Sequence, residues 1–95
     1  MLFHIPTREA WQRAVGAGDY RPPSLEREGF IHLSTDAQWP AVRERFYREV
    51  FDLVLLVIDP RRVRAEIRYE AADGDQYPHL YGALDIGAVV EVREI

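Results

Sequence analysis

A chain of 95 residues with 47% hydrophobic and 29% charged residues is long enough for one folded domain and too short for two. The absence of cysteine excludes disulfides, thiolate metal ligands and a cysteine nucleophile, and it favours a reducing compartment. The net charge of −4 argues against nucleic-acid binding. No apolar run approaches the roughly 20 residues of a membrane span, and the first residues do not form a signal peptide. We therefore expect one cytoplasmic domain over residues 1–95 with no membrane partner, and the oligomeric state stays open.

The first elements are a short strand and a helix. Leu2–Ile5 is predicted to be a strand, because a residue that precedes proline, as Ile5 does, is biased towards extended geometry. Thr7 has the side chain of a helix N-cap, and Gly16 or Gly18 can close the helix that follows it.

A polar segment then leads to a second strand. The pair Pro22–Pro23 argues against helix at those two positions, and one helical turn closed by Gly29 follows. Phe30–Ser34 is predicted to be a strand in which His32 and Ser34 share a face, because alternate residues of a strand point to the same side.

The middle of the chain predicts the second main helix and the central strand. The helix should start near Ala37, and an apolar stripe runs along it at spacings of three and four residues. The stripe consists of Trp39, Val42, Phe46 and Val50. Leu53–Ile58 is apolar at every position, which is typical of a strand that is covered on both faces.

The last third of the chain favours strands. Glu66–Glu70 alternates, which predicts that Ile67 and Tyr69 point inwards. Ala71–Pro78 reads as a polar loop, and Ala88–Arg93 as a closing strand. With two main helices early and strands late, the pattern predicts an α+β fold rather than a regular alternation of strands and helices.

Three histidines are the first candidates for chemistry, since imidazole can donate, accept or transfer a proton near neutral pH. His4, His32 and His79 each lie within or beside a predicted strand. If the strands are neighbours, the imidazoles converge on one site. The alternative is that each is a hydrogen-bonded structural side chain.

Other catalytic arrangements fit the sequence less well. The three histidines are separated by 28 and 47 residues, which matches no compact metal-ligand motif, so no metal is expected. A serine hydrolase is disfavoured because there is no Gly-x-Ser-x-Gly elbow and Ser34 lies within a strand. Glu70 is either a solvated carboxylate that pairs with Arg68 or Arg21, or a group that stabilises positive charge in a pocket.

Six segments together resemble the bacterial family known as domain of unknown function 952. They are Phe3–Ile5, Tyr20–Leu25, Glu28–Thr35, Leu53–Pro60, Arg68–Glu70 and Tyr77–Gly82. The resemblance covers nearly the whole chain, and Gly-Phe-Ile-His-Leu-Ser and Pro-His-Leu-Tyr-Gly are its most specific pieces.

The resemblance implies an ADP-ribosyltransferase-like fold, a split and mostly antiparallel sheet that holds NAD in a cleft. His4 would then be the first-strand residue that binds the ribose beside nicotinamide. Phe30–Thr35 would line the nicotinamide pocket. The third motif residue, normally a glutamate, would be Glu70 or the residue at the position of His79, and the resemblance does not decide between them.

We therefore expect a cleft that binds or acts on NAD, ADP-ribose or a related nucleotide, so that the partner is a small molecule. The expected catalytic residues are His4, His32, Glu70 and His79. The expected ligand-binding residues are Arg21, Ser34, Thr35 and Tyr81. If His79 takes the third position, the usual catalytic carboxylate is missing, and a non-catalytic binding or regulatory module becomes the alternative. A protein-interaction module ranks last, because no surplus apolar stripe is visible.

Overall fold

The computed structural model describes all 95 residues and contains eight strands and three helices. The strands are β1 (Leu2–His4), β2 (Asp19–Tyr20), β3 (Ile31–His32), β4 (Val54–Ile58), β5 (Glu66–Ala72), β6 (Asp75–Tyr81), β7 (Leu84–Asp85) and β8 (Val89–Glu94). The helices are α1 (Arg8–Ala17), α2 (Pro23–Glu28) and α3 (Trp39–Phe46), and two 3-10 turns span Pro60–Arg62 and Ile86–Ala88. None of the helices is long and apolar enough to cross a membrane.

The first sheet is antiparallel, with β4 between β1 and β8. All five residues of β4 are buried, as its uniformly apolar sequence predicts. The strand supplies both core clusters. Val54, Leu56 and Ile58 belong to the larger cluster, whereas Leu55 and Val57 belong to a smaller one with Phe3. Because neighbouring side chains of a strand point to opposite faces, β4 separates the two halves of the core.

The second sheet has the order β3-β6-β5 and is also antiparallel, and β2 pairs with β7 in a small third sheet. The backbones of Phe3 and Ser34 exchange two hydrogen bonds of 2.8 Å and so join the two larger sheets. The backbone of Leu33 also donates to Pro78 at 3.0 Å. The segment after β3 therefore lies between β1 and β6. The predicted α+β class with mostly antiparallel strands is confirmed.

Two of the helix boundaries follow from their capping residues. The side chain of Thr7 accepts a 3.1 Å hydrogen bond from the backbone of Ala10, as an N-cap does, and Gly18 closes α1 in the left-handed conformation. Gly29 closes α2 in the same way. The prediction that Pro23 is not helical is wrong. Pro23 is the first residue of α2, where proline is tolerated because that N–H has no helical partner.

The predicted apolar stripe of the second main helix is only partly correct. The helix starts at Trp39 rather than near Ala37, and it ends at Phe46, which is 56% exposed. Val50 lies outside the helix and is 41% exposed. The chain must reverse direction before it enters β4, and a turn replaces the last helical turn that the spacing predicted.

The prediction of a polar loop over Ala71–Pro78 is wrong, because β5 and β6 form a tight hairpin. Asp73 and Gly74, with φ angles of 49° and 81°, are its two turn residues, and Asp-Gly is a favoured sequence for such a turn. Tyr69, predicted to point inwards, is 55% exposed. It lies on the edge strand β5 and does not pack against the core cluster that Ile67 contacts.

The backbone passes very close to itself after β6. A Cβ built on Gly82 would lie 2.6 Å from the Cβ of Ala65, so the Gly82→Ala variant must shift backbone. We expect it to lower the free energy of unfolding by about 1–3 kcal/mol, measured by urea denaturation. Gly87→Ala, where a Cβ would meet nothing within 4 Å, is the control. Equal losses in the two variants would contradict the steric explanation.

Candidate functional site

The structure brings the three histidines to one cavity of about 630 Å³. His4 reaches it from β1, His32 from β3 and His79 from β6, and Ser34 also lines it. The convergence follows from strand pairing. His32 lies directly opposite His79 in the register of β3 and β6, and the backbone bonds of Ser34 place β1 beside them.

His4 is held at both ring nitrogens and is 9% exposed. Its Nδ1 lies 2.6 Å from the carbonyl oxygen of His32, and its Nε2 lies 2.9 Å from the hydroxyl of Tyr20. A carbonyl oxygen only accepts, so Nδ1 carries the hydrogen and donates it. In the neutral ring, Nε2 then accepts from the Tyr20 hydroxyl. These bonds fix one tautomer and one orientation of the ring.

Burial governs the protonation of this network. The pKa of His4 is lowered to about 4, mainly because desolvation penalises the charged ring, although the bond to the His32 carbonyl opposes the shift. Burial likewise raises the pKa of Tyr20, whose ring also packs edge-on against Trp11 at 6.5 Å. Both side chains are therefore neutral at pH 7.

His32 forms an exposed pair with a carboxylate at the edge of the cavity. Its Nε2 lies 2.8 Å from Glu28, and the two side chains are 54% and 46% exposed. The bond to His32 lowers the pKa of Glu28. Because solvent screens an exposed pair, it contributes little to stability, and the imidazole stays accessible to solutes.

His79 forms a second histidine–carboxylate pair, which is more buried. Its side chain is 6% exposed, and its Nδ1 lies 2.8 Å from Glu70. The hydroxyl of Tyr81 donates to the same Glu70 oxygen, and the two bonds lower the pKa of that carboxyl, the one from Tyr81 more strongly. The ring of Phe30 stacks on His79 with centroids 4.0 Å apart.

Four of the predicted site residues do not line the cavity. Glu70 bonds to His79, which lines the cavity, and Tyr81 bonds to Glu70. Thr35 lies in the turn before α3, where its backbone N–H donates to Gln38. Arg21 is exposed and pairs with Asp19 at 2.9 Å, so it does not pair with Glu70. The roles predicted for these residues stay predictions.

Several lining residues were not predicted from the sequence. Tyr20, Tyr47 and Tyr77 present aromatic rings, and Arg27 brings a positive charge. Tyr20 and Tyr77 each open a segment of the family resemblance, which was a usable signal. Arg27 and Tyr47 have no such signal, because arginines and aromatic residues recur all along the chain.

The donor set does not favour a metal ion. No group of three or more His, Asp or Glu side chains is arranged to hold one. Both nitrogens of His4 are bonded within the protein, so it has no lone pair for a metal without breaking a bond. The arrangement suits hydrogen bonding to an organic ligand and proton transfer.

The comparisons with known proteins agree with the sequence resemblance. The chain is similar to the solved structures of protein CC0527 from Caulobacter crescentus. Its crystal structure is 28% identical, covers 96% of this chain and 82% of its own, and has a TM-score of 0.87. Its solution NMR structure is 27% identical, covers 99% and 83%, and has a TM-score of 0.84. None of the curated proteins matches the chain.

A family model covers nearly the whole chain, from residue 5 to residue 92. Its description is "Protein of unknown function (DUF952)". The match includes the strands that carry His32 and His79, along with Tyr20 and the lining residues between them. The chain therefore belongs to the DUF952 family.

Proposed function

We propose that the cavity binds a nucleotide of the NAD or ADP-ribose class and acts on it, within an ADP-ribosyltransferase-like fold. One observation carries the proposal: imidazoles from three separate strands, two of them paired with carboxylates, line one cavity. Residues far apart in sequence that place proton-transferring groups around one cavity are typical of an enzyme site.

The size and lining of the cavity suit such a ligand. Its volume of about 630 Å³ lies inside the range of roughly 300–1,000 Å³ that is usual for small-molecule sites. The rings of Tyr47 and Tyr77 are partly exposed and offer flat apolar surfaces for a base or a nicotinamide ring. Hydroxyl and imidazole groups around them can bond the polar edges of the ligand.

Arg27 is the group best placed to bind a phosphate. It lines the cavity from α2, is exposed and forms no ion pair in the structure. A guanidinium matches phosphate oxygens with two parallel hydrogen bonds. In a chain of net charge −4, an unpaired arginine at a cavity is a local attraction for an anion.

The resemblance implies that His4 binds a ribose hydroxyl, but in this structure the hydroxyl of Tyr20 is the group that can do so. Both nitrogens of His4 are bonded within the protein, so the imidazole has no free lone pair for a ribose hydroxyl. The Tyr20 hydroxyl donates its hydrogen to His4 and keeps lone pairs that can accept from a ligand. We therefore assign His4 as the residue that orients Tyr20.

A non-catalytic binding module is the second candidate. Glu70 does not line the cavity, and the carboxylates that do are Glu28, bonded to His32, and Asp73, at the hairpin tip. Without a free carboxylate beside the ligand, stabilisation of an oxocarbenium-like ribose is weak. This candidate predicts binding of NAD without release of nicotinamide, whereas the enzyme predicts turnover.

Arg27→Gln is expected to weaken binding of ADP-ribose about tenfold, because it removes a charge-assisted hydrogen bond to phosphate. The measurement is a titration followed by ¹H–¹⁵N NMR, with thermal unfolding as a check on folding. Arg21→Gln is the matched control, since Arg21 is exposed and lies outside the cavity. It should change the affinity less than twofold.

The titration also decides between the proposals. Binding of NAD with nicotinamide release supports the enzyme, and binding without release supports the module. No response to NAD, ADP-ribose or AMP at millimolar concentration would reject both, because even a binding free energy of about −4 kcal/mol is visible there. If Arg21→Gln weakens binding more than Arg27→Gln does, the phosphate binds outside the cavity.

A further inference from the structure

The ring of His79 carries a buried nitrogen that has no partner. His79 is 5% exposed, and its Nε2 makes no hydrogen bond with any other group of the protein. Both nitrogens of His4 are bonded, and the ring of His32 is largely exposed to water. His79 lines the cavity, but Nε2 itself has almost no accessible surface, so a ligand reaches it only after a neighbouring side chain moves. Buried polar groups are nearly always paired, so this unpaired nitrogen needs an explanation.

The hydrogen bond at Nδ1 selects the tautomer of the neutral His79 ring. The pKa of Glu70 is lowered by its bonds to Tyr81 and His79, so the carboxyl is ionised and can only accept. Nδ1 must then carry a hydrogen and donate it to Glu70. In the neutral ring, Nε2 therefore holds a lone pair and is an acceptor.

The surroundings also fix the orientation of the ring. Phe30 stacks on it at 4.0 Å with an angle of 16° between the planes, and the ring of His32 meets it edge-on at 5.4 Å. Tyr81 also holds Glu70, through the same oxygen that His79 contacts. An imidazole that is oriented by a carboxylate and left free at the other nitrogen is the arrangement of a general base.

We propose that Nε2 of His79 accepts a hydrogen bond from a hydroxyl group of the ligand, and that Glu70 is a positioning residue that acts through His79. The inference rests on the proposed function and specifies the ligand group as a ribose hydroxyl. It also assigns separate roles to the two residues that compete for the third motif position. His79 contacts the ligand, and Glu70 does not.

The first test needs no ligand. Two-bond ¹H–¹⁵N correlation spectra of the free protein at pH 7.5 should show His79 with its hydrogen on Nδ1 and a lone pair on Nε2. Glu70→Gln should change this tautomer preference, because an amide can donate as well as accept. Glu91→Gln is the control, since Glu91 is exposed on β8, pairs with Arg93 and lies outside the cavity, and it should leave the His79 signals unchanged.

The second test adds ADP-ribose. Titration should move the Nε2 resonance of His79 in the direction of hydrogen bonding. Glu70→Gln and His79→Gln should each weaken binding about tenfold, while Glu91→Gln should change it less than twofold. Thermal unfolding confirms that each variant is folded. If a variant does not fold, the spectra of the wild-type protein with and without ADP-ribose still test the proposal.

The outcomes separate the two proposals. A hydrogen on Nε2 in the free protein would overturn the inference. Binding of ADP-ribose with an unmoved Nε2 resonance would also overturn the inference and leave the proposed function standing. Absence of binding by ADP-ribose and NAD would overturn the proposed function and, with it, the assignment of a ribose hydroxyl to His79.

Discussion

Lowering the pH from 7 to 5 is expected to remove about 2 kcal/mol from the free energy of unfolding through His4 alone. Burial lowers the pKa of His4 to about 4 in the folded protein, against 6.5 for the exposed side chain. Between these values the unfolded chain binds the proton and the folded protein does not, so acid favours unfolding. The stabilisation is complete above pH 6.5 and is lost as the pH falls towards 4.

His4→Gln isolates this effect from that of the carboxylates. Glu28, Glu70 and other paired carboxyls also have lowered pKa values, but they lose stability at a lower pH than His4 does. Urea denaturation at pH 7, 6 and 5 should therefore give a steep pH dependence for the wild type and a shallow one for the variant. Parallel curves would show that His4 is not buried in its neutral form.

Leu56→Ala is expected to destabilise the protein by about 3 kcal/mol, the largest effect of any single change we predict. Leu56 is fully buried on the central strand β4 and lies opposite His4 in the register with β1. Truncation removes apolar burial and leaves a cavity beneath the strand that carries the site. The measurement is the midpoint and slope of urea denaturation.

Val92→Ala is the matched control for Leu56→Ala. Val92 is the cross-strand partner of Leu56 on β8, and it is 44% exposed. Its truncation should lower the free energy of unfolding by less than about 1 kcal/mol, because little burial is lost and no cavity forms. Similar losses for the two variants would mean that β4 does not form the centre of the core.

The parts of the fold that could be predicted depend on local patterns. The apolar run of β4 identified a strand buried on both sides, and Thr7 identified the start of α1. The parts that failed depend on what packs nearby. Tyr69 alternates correctly for a strand, yet its strand lies at the edge, and nothing in the local sequence marks an edge.

The hairpin of β5 and β6 was missed although its turn signal was present. Asp73-Gly74 between two strands is a strong hairpin sequence. Proline is rare inside a sheet, so the strand that contains Pro78 is hard to recognise from the sequence. In the structure, Pro78 is buried on β6 and still uses its carbonyl oxygen as an acceptor for Leu33.

The candidate site was predictable in its residue types and only partly in its geometry. The three histidines could be singled out because few side chains titrate near neutral pH. Their convergence depends on the pairing of Phe3 with Ser34, a long-range contact that no spacing rule encodes. Arg27 and Tyr47 enter the cavity only because α2 and α3 end beside it.

The two hydrogen bonds between Phe3 and Ser34 have a consequence for how ligand and fold are coupled. They form a seam between two sheets that also share the larger core cluster, and the cavity lies beside that seam, lined by His4 from the first sheet and His79 from the second. A ligand that contacts both His4 and His79 links the two sheets. Occupancy would then tighten the packing of the sheets against each other, so that the resistance of the whole protein to unfolding rises with ligand concentration.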